Sequence, residues 1–208
     1  MRKTVLLCCI TGFSSLLLTS CSANHSKDVY FIHAASFVRE NDGIAIYAAA
    51  QKTDKNDEGK YFVASSDGKT VKDAVKKLSD KYSECYFATN EILIFKKDDI
   101  SDEEFLDGLS YICENPFVPC VSRVAITERE DVTKIIESIE NEDDLKKLLK
   151  ETEKSKLAFV SFLGTALSES QTEKVPVLSV GKDGKVKADD TITVGKGLLF
   201  EKGKGERK

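Results

Sequence analysis

Several apolar runs along the chain have the length and composition of strands. Residues 29–38 and 44–51 are apolar, partly β-branched runs, and the Asp42-Gly43 pair between them is a strong hairpin-turn signal. Residues 92–95 form a continuous apolar run, which is typical of a strand covered on both faces. Further strands are predicted at residues 61–64, 84–87, 120–127, 175–180, 185–187 and 191–200.

Other stretches have the spacing of amphipathic helices. Thr70 can cap the first helix, and capping boxes at residues 101–104 and 127–130 predict the second and the third. Asn141 starts a fourth helix, and residues 157–167 predict a fifth. Because strands and helices alternate, we expect an α/β (α+β) fold, a mixed β-sheet with helices packed against it. The predicted inward residues are Val71, Ala74, Val75 and Leu78, then Phe105, Leu106, Leu109 and Ile112, then Val132, Ile135, Ile136 and Ile139, and last Leu145, Leu148 and Leu149.

The first 20 residues have the composition of a targeting segment. Arg2 and Lys3 precede an uncharged, mostly apolar run at residues 5–18, which is shorter than the roughly 20 residues that a membrane-spanning helix needs. The sequence Leu-Thr-Ser-Cys ending at Cys21 has the lipobox pattern of an aliphatic residue, two small residues and cysteine. We predict a lipoprotein signal peptide over residues 1–20, with a diacylglycerol group on Cys21. A permanent helical anchor and an ordinary secretory signal are the alternatives.

Length and charge limit the remaining chain to one acidic domain. Residues 21–27 are short and polar and read as a tether, residues 28–200 as one domain, and the charged, Gly-rich residues 201–208 as a disordered tail. The net charge of −4 includes Arg2 and Lys3, so the mature body is more acidic still. No basic stripe with interleaved aromatic residues occurs, which argues against a nucleic-acid partner.

The six cysteines do not form an even disulfide framework. Cys8 and Cys9 belong to the leader and Cys21 to the lipobox, so an odd number remains in the body. Cys113 and Cys120 are close enough in sequence to pair, and either buried or free thiols or one disulfide fits the spacing. That spacing matches no standard zinc site. The three body cysteines are Cys85, Cys113 and Cys120.

No motif in the body supports catalysis or cofactor binding. Gly68-Lys69-Thr70 suggests a phosphate loop, but Val63 stands where that motif needs a glycine, so we interpret it as a glycine turn before a helix cap. The acidic residues at 98–104 lack calcium-loop spacing. The chain has no Gly-x-Ser-x-Gly elbow. His25 lies in the tether, and His33 reads as a packed strand residue. We therefore predict no catalytic, cofactor or metal residue and no enzyme.

From residue 28 to residue 127 the order of features resembles the N-terminal region of the Ger(x)C family, the lipoprotein C subunits of spore nutrient germinant receptors. The lipobox ends at Cys21, and a hairpin follows from Asp28. Residues 64–74 are similar to the Ala-Ser-Gly-Lys-Thr-type stretch before the family's first helix, and Tyr86-Phe87 precedes the apolar strand as its aromatic turn does. Residues 191–200 resemble the strand that closes that region.

The chain departs from the family pattern at two points. Thr89 or Asn90 stands where members often carry a histidine before the strand. Members also continue into a further C-terminal portion, whereas this sequence stops at Lys208. A naturally short paralogue, a truncated gene and a frameshift each account for that length.

The resemblance implies a non-enzymatic subunit that is lipid-anchored on the outer face of the inner membrane of a spore. Its partners would be two integral membrane subunits that sense nutrients and open an ion path. A solute-binding or adhesin-like surface lipoprotein is the alternative, and it predicts a deep pocket with aromatic lining. A cell-envelope hydrolase is a third hypothesis, and it would need a convergent catalytic cluster.

Overall fold

The computed structural model describes residues 29–52, 59–82, 84–114, 120–128, 131–153, 157–168 and 171–195. The predicted signal peptide, the tether with Cys21, and the tail at residues 201–208 lie outside these ranges. Within them, no helix combines the length and the apolar character needed to cross a bilayer.

Eight described strands form one mixed sheet, which confirms the predicted fold class. Their order across the sheet is β3-β2-β1-β5-β6-β7-β8, and β4 pairs with the start of β1. β1, β5, β6 and β7 run parallel, while β2 and β8 are antiparallel to their neighbours. The strands are β1 Val29–Glu40, β2 Gly43–Lys52, β3 Tyr61–Gly68, β4 Glu84–Tyr86, β5 Ile92–Lys96, β6 Arg123–Thr127, β7 Glu173–Val180 and β8 Val186–Val194.

Helices cover both faces of this sheet and create two cores. The described α-helices are α1 Val71–Lys81, α2 Glu103–Glu114, α3 Val132–Glu137, α4 Glu142–Glu151 and α5 Phe159–Leu167, with single 3₁₀ turns at Phe87–Thr89 and Asp99–Ser101. α1, α2 and α5 pack on one face, against alternate residues of the central strands, and α3 and α4 pack on the other. The predicted inward residues are buried, except that Leu149 is only partly buried.

A bulge in β1 explains why residues 29–38 do not alternate cleanly. The β1–β2 hairpin register shifts between Ile32 and Ala34. Ile32 and Ala35 belong to the core under α1, α2 and α5, whereas Ala34 belongs to the opposite core. The extra residue therefore moves the inward pattern by one position along the strand.

Both capping boxes predicted for the second and third helices are wrong. α2 begins at Glu103, and the Asp102 Oδ1 accepts the backbone N–H of Phe105 at 3.1 Å. Ser101 instead closes a 3₁₀ turn, with its hydroxyl on the Asp98 carbonyl. Thr127 ends β6, and its hydroxyl donates to the Leu178 carbonyl at 2.8 Å in the neighbouring strand β7. The caps at Thr70 and Asn141 are confirmed.

Two strand predictions near the C-terminus are corrected. The predicted strands at residues 185–187 and 191–200 are one strand, β8, up to Val194, and residues 196–200 lie outside the described residues.

Two further strands differ from the prediction in where they begin or end. β6 begins at Arg123, because residues 120 and 121 form a turn. β3 is longer than predicted and ends at Gly68.

Candidate functional site

The order of the strands reverses once across the sheet. From β1 the chain runs through β2 to β3 on one side, and β5, β6, β7 and β8 follow one another on the other side. In open α/β sheets, ligands usually bind at the carboxyl ends of the parallel strands that flank such a reversal. Here β1 and β5 are those parallel strands, so their carboxyl ends mark the edge where a site would be expected.

The charged groups at the carboxyl end of β1 hold the chain together. The Arg39 backbone N–H donates to Asp99 Oδ2 at 2.8 Å, and the Arg39 guanidinium pairs with Asp102 and, at 3.6 Å, with Glu104. Burial raises the pKa of the Asp99 carboxyl. These contacts fasten β1 to the 3₁₀ turn and to the start of α2, so Asp99, Asp102 and Glu104 have structural partners. No group of three metal-ligating side chains occurs in the described ranges.

The Gly68-Lys69-Thr70 stretch is a packing turn and a helix cap, as predicted. Thr70 Oγ1 accepts the Asp73 N–H at 3.2 Å, and the Asp73 carboxylate accepts the Lys69 N–H at 3.0 Å. Backbone atoms pack closely against Gly68 on both sides. A Cβ on Gly68 would lie 2.3 Å from the Ala74 nitrogen, and a Cβ on Gly43 would lie 2.4 Å from the Gly68 carbonyl oxygen. The glycines serve this close approach rather than a phosphate.

A groove of about 730 Å³ lies over this turn, and it lacks the aromatic lining that the solute-binding alternative predicts. Tyr47 is its one aromatic lining residue. Lys77 pairs with Asp73 at 3.4 Å, and Lys81 donates to the Ser65 carbonyl at 3.0 Å. These two lysines are therefore committed to neighbouring protein groups, which does not favour the solute-binding alternative.

A polar pair that the sequence did not predict lies at the opposite edge of the sheet. The Asn90 amide donates to Ser122 Oγ at 3.0 Å, and that hydroxyl donates to the Asn90 carbonyl at 2.8 Å. Thr89 Oγ1 donates to the Ile32 carbonyl at 3.0 Å. Thr89 and Asn90 thus join the start of β5 to β1 and β6, which gives both residues a structural role.

His33 is a packed strand residue, in agreement with the sequence. Its ring meets the edge of Tyr61 with centroids 5.1 Å apart, and its Nδ1 lies 3.9 Å from Glu91. Burial lowers the pKa of His33 and outweighs the opposing effect of Glu91, which favours the neutral imidazole at neutral pH. No cysteine or serine contact marks it as a catalytic base among the described residues.

An uncharged surface on α5 is the feature that the sequence analysis missed. Val160 and Leu167 are 51% and 43% exposed, and Gly164 between them has open space above it. Val121 is 76% exposed, in a turn held against α5 by the Val160 N–H on the Cys120 carbonyl at 3.0 Å. We call Val121, Val160, Gly164 and Leu167 the α5 surface. The absence of charged residues from positions 159–167 can be seen in the sequence, whereas the position of Val121 beside α5 cannot.

Comparison with known proteins identifies a family. A family model described as the spore germination protein N-terminal domain matches residues 23–182, which is most of the chain. No curated protein and no solved structure matches the chain. The match covers every described element except β8.

Proposed function

Because the chain belongs to the Ger(x)C family of spore germination proteins, we propose that it is a lipid-anchored subunit of a spore nutrient germinant receptor. In this proposal Cys21 holds the protein on the outer face of the inner membrane. The domain acts without catalysis, through contacts with the integral membrane subunits of the receptor. The family match is the observation that carries the proposal.

The leader sequence supports the anchor. A charged n-region, an uncharged apolar run and a lipobox precede Cys21 in that order. A lipoprotein with two or more acyl chains binds the membrane stably, whereas one chain gives only marginal binding. Anchoring would also raise the local concentration of the domain near membrane partners, so that weak contacts could act.

Replacing Cys21 with alanine tests the anchor. We expect the Cys21→Ala protein to take up no lipid label, to stay in its unprocessed form and to give spores with an impaired nutrient response. Metabolic labelling with a fatty acid, followed by electrophoresis of the membrane fraction, measures the first two effects. Cys85→Ala is the matched control, because Cys85 lies half-buried in the domain and its loss should leave labelling unchanged. Normal labelling and processing of the Cys21→Ala protein would disprove the anchor.

The α5 surface is our candidate for contact with the integral membrane subunits. In a chain with 32% charged residues, residues 159–167 carry no charge, and exposed apolar side chains of α5 lie beside the exposed Val121. Charged residues are depleted at the centre of protein interfaces, and apolar residues pack there. The resemblance implies integral membrane subunits as partners, and in this proposal one of them packs an apolar surface against the α5 surface.

A charge on this surface should weaken the contact without unfolding the domain. We expect Val160→Glu to lower co-purification of the integral membrane subunits by about tenfold, or about 1.4 kcal/mol. Folding should be preserved, because residue 160 lies in the first turn of α5, where the helix dipole favours an acidic side chain and no side chain caps the helix.

Lys147→Glu on α4 is the control for this experiment, because it adds negative charge to an exposed site on the opposite face of the sheet. Both variants are compared by quantitative pull-down from spore membranes, with thermal unfolding measured in parallel. Equal recovery of the subunits with Val160→Glu and the parent would remove the α5 surface from the proposal and leave the family assignment intact.

A further inference from the structure

Two of the three body cysteines meet at the point where α2 passes to β6. Cys113 lies in the last turn of α2, and Cys120 lies in the turn before β6. Six residues of sequence separate them. The Cys120 thiol donates to the Cys113 carbonyl oxygen at 3.7 Å, which places the Cys120 sulfur against the residue that carries the other thiol. Both are thiols in this structure.

Backbone contacts fix the position of Cys120 relative to the helices. The Cys120 carbonyl accepts the Val160 N–H at 3.0 Å, and the Ser122 carbonyl accepts the Phe159 N–H at 2.9 Å. Cys113 is on a helix whose inner face, through Leu109 and Ile112, is fully packed. The turn that carries Cys120 is therefore held to α5 by backbone hydrogen bonds, and Cys113 is held by the packing of α2.

We propose that Cys113 and Cys120 form an intramolecular disulfide when the protein meets a disulfide oxidant. Cys85 stays outside the pair, as its neighbouring contact is the Leu78 carbonyl rather than a second thiol. The inference does not depend on the proposed function, although an oxidising compartment outside the cytoplasm is where such a bond persists.

The reaction balances as two thiol–disulfide exchanges. The thiolate of one cysteine attacks a glutathione disulfide, forms a mixed disulfide and releases one glutathione thiolate. The thiolate of the other cysteine then attacks the protein sulfur of that mixed disulfide and releases a second glutathione thiolate. The protein loses two hydrogen atoms, and one glutathione disulfide becomes two molecules of reduced glutathione.

The surroundings predict a structural bond with slow formation at neutral pH. Burial and the neighbouring Cys120 raise the pKa of the Cys113 thiol to about 11. The thiolate is the reactive species, so its population, and with it the rate of ring closure, should rise about tenfold per pH unit below that value. A thiol that holds its proton this firmly is also a poor leaving group, which slows reduction of the finished bond.

The bond would stabilise the part of the α5 surface that Val121 forms. Val121 directly follows Cys120, whose carbonyl accepts a hydrogen bond from Val160 on α5. A disulfide from Cys120 to α2 would therefore hold this turn to both helices. The oxidised protein should therefore present Val121 and Val160 in a more ordered arrangement.

Peptide mapping provides a clean test, because trypsin cleaves the chain so that both cysteines fall in one peptide. Residues 98–123 contain Cys113 and Cys120 without an internal lysine or arginine, and residues 82–96 contain Cys85 alone. The full chain, purified in detergent, is incubated with oxidised and reduced glutathione, then denatured and alkylated without a reductant. We expect the 98–123 peptide to be unalkylated and lighter by two hydrogen atoms than after reduction, while the 82–96 peptide is alkylated.

Alkylation of both cysteines in the 98–123 peptide, or their recovery as separate glutathione adducts, would overturn the proposal. Thermal unfolding gives a second readout. Reduction should lower the melting temperature of the oxidised parent and of Cys85→Ser by about 5 °C, and should not change that of the Cys113→Ser, Cys120→Ser double variant. If reduction lowered the melting temperature of the double variant equally, the change in the parent would not come from a Cys113–Cys120 bond, which would count against the proposal. These results are independent of lipid labelling at Cys21, so each proposal can fail alone.

Discussion

Replacing Phe95 with alanine should lower the free energy of unfolding by about 3–5 kcal/mol, the range for deleting a buried aromatic side chain. Phe95 is fully buried on β5, between β1 and β6 in the sheet. Its ring stacks on Phe162 at 5.5 Å with an interplanar angle of 8°, lies 5.8 Å from Phe159, and meets Phe105 edge-on at 6.4 Å. Alanine would leave a cavity at the point where α2 and α5 converge on the sheet.

The loss at Phe95 should be large relative to the total, because folded domains are stable by only about 5–15 kcal/mol. Chemical denaturation followed by far-UV circular dichroism measures it. Phe31→Ala is the matched control, since Phe31 is half-buried on β1 and has one tilted neighbour, Tyr86. The two substitutions remove the same atoms, so similar losses at both positions would contradict the central role of the Phe95 cluster.

Replacing Gly68 with alanine should destabilise the protein by about 3 kcal/mol, the upper end of the usual cost of overpacking. The added Cβ would stand 2.3 Å from the Ala74 nitrogen and 2.8 Å from the Ala74 Cα. Both atoms are backbone atoms of α1, so no side-chain rotation can relieve the contact. The first turn of α1 must move away from β3, and the Thr70 cap must loosen with it.

Gly164→Ala is the control for Gly68→Ala, and its effect should have the opposite sign. Gly164 lies inside α5 and has no atom within 4 Å of an added Cβ. Alanine there should raise the free energy of unfolding by about 0.5–1 kcal/mol, because it restricts the unfolded chain and favours helix. Both variants are measured by the same denaturant titration. A neutral Gly68→Ala variant would show that α1 is not held by this approach.

The Phe95 and Gly68 substitutions, each with its control, test two separate contacts between a helix and the sheet, and the first of them also positions the α5 surface. Phe159 and Phe162, which contact Phe95, are on the buried side of α5, and Val160 is on its exposed side. The Phe95 cluster therefore sets how α5 presents its surface to a partner. A partly destabilised variant such as Phe95→Ala should weaken partner binding through folding, whereas Val160→Glu should weaken it while the domain stays folded.

Local sequence patterns were sufficient wherever the structure is decided by neighbouring residues. The hairpin between β1 and β2, the Thr70 and Asn141 caps, and the inward faces of the helices all follow from spacings of four residues or fewer. The hairpin loop is Asn41-Asp42, one residue earlier than the Asp42-Gly43 signal, because Gly43 already pairs with Glu40. The apolar run at residues 92–95 predicted a strand covered on both faces, and β5 is buried throughout. The order of these elements also carried the resemblance that the family match confirms.

Local patterns failed where another group took the predicted capping bond. Thr127 has the spacing of a helix cap, but its hydroxyl bonds to the Leu178 carbonyl in the adjacent strand. The sheet brings that distant carbonyl within bonding distance, and the sequence window around Thr127 does not contain it. Ser101 has the same spacing, but its hydroxyl bonds to the nearby Asp98 carbonyl, and the neighbouring Asp102 caps α2.

By itself, the sequence determined the alternation of strands and helices and the family, because each rests on residues close together in the chain. Only the tertiary structure decided the β1 bulge, the approach of Gly43 and Gly68, the meeting of Cys113 with Cys120, and the position of Val121 beside α5. Each of these depends on strand register and helix docking. Those are set by how the two cores pack as a whole, and no short window of sequence contains that information.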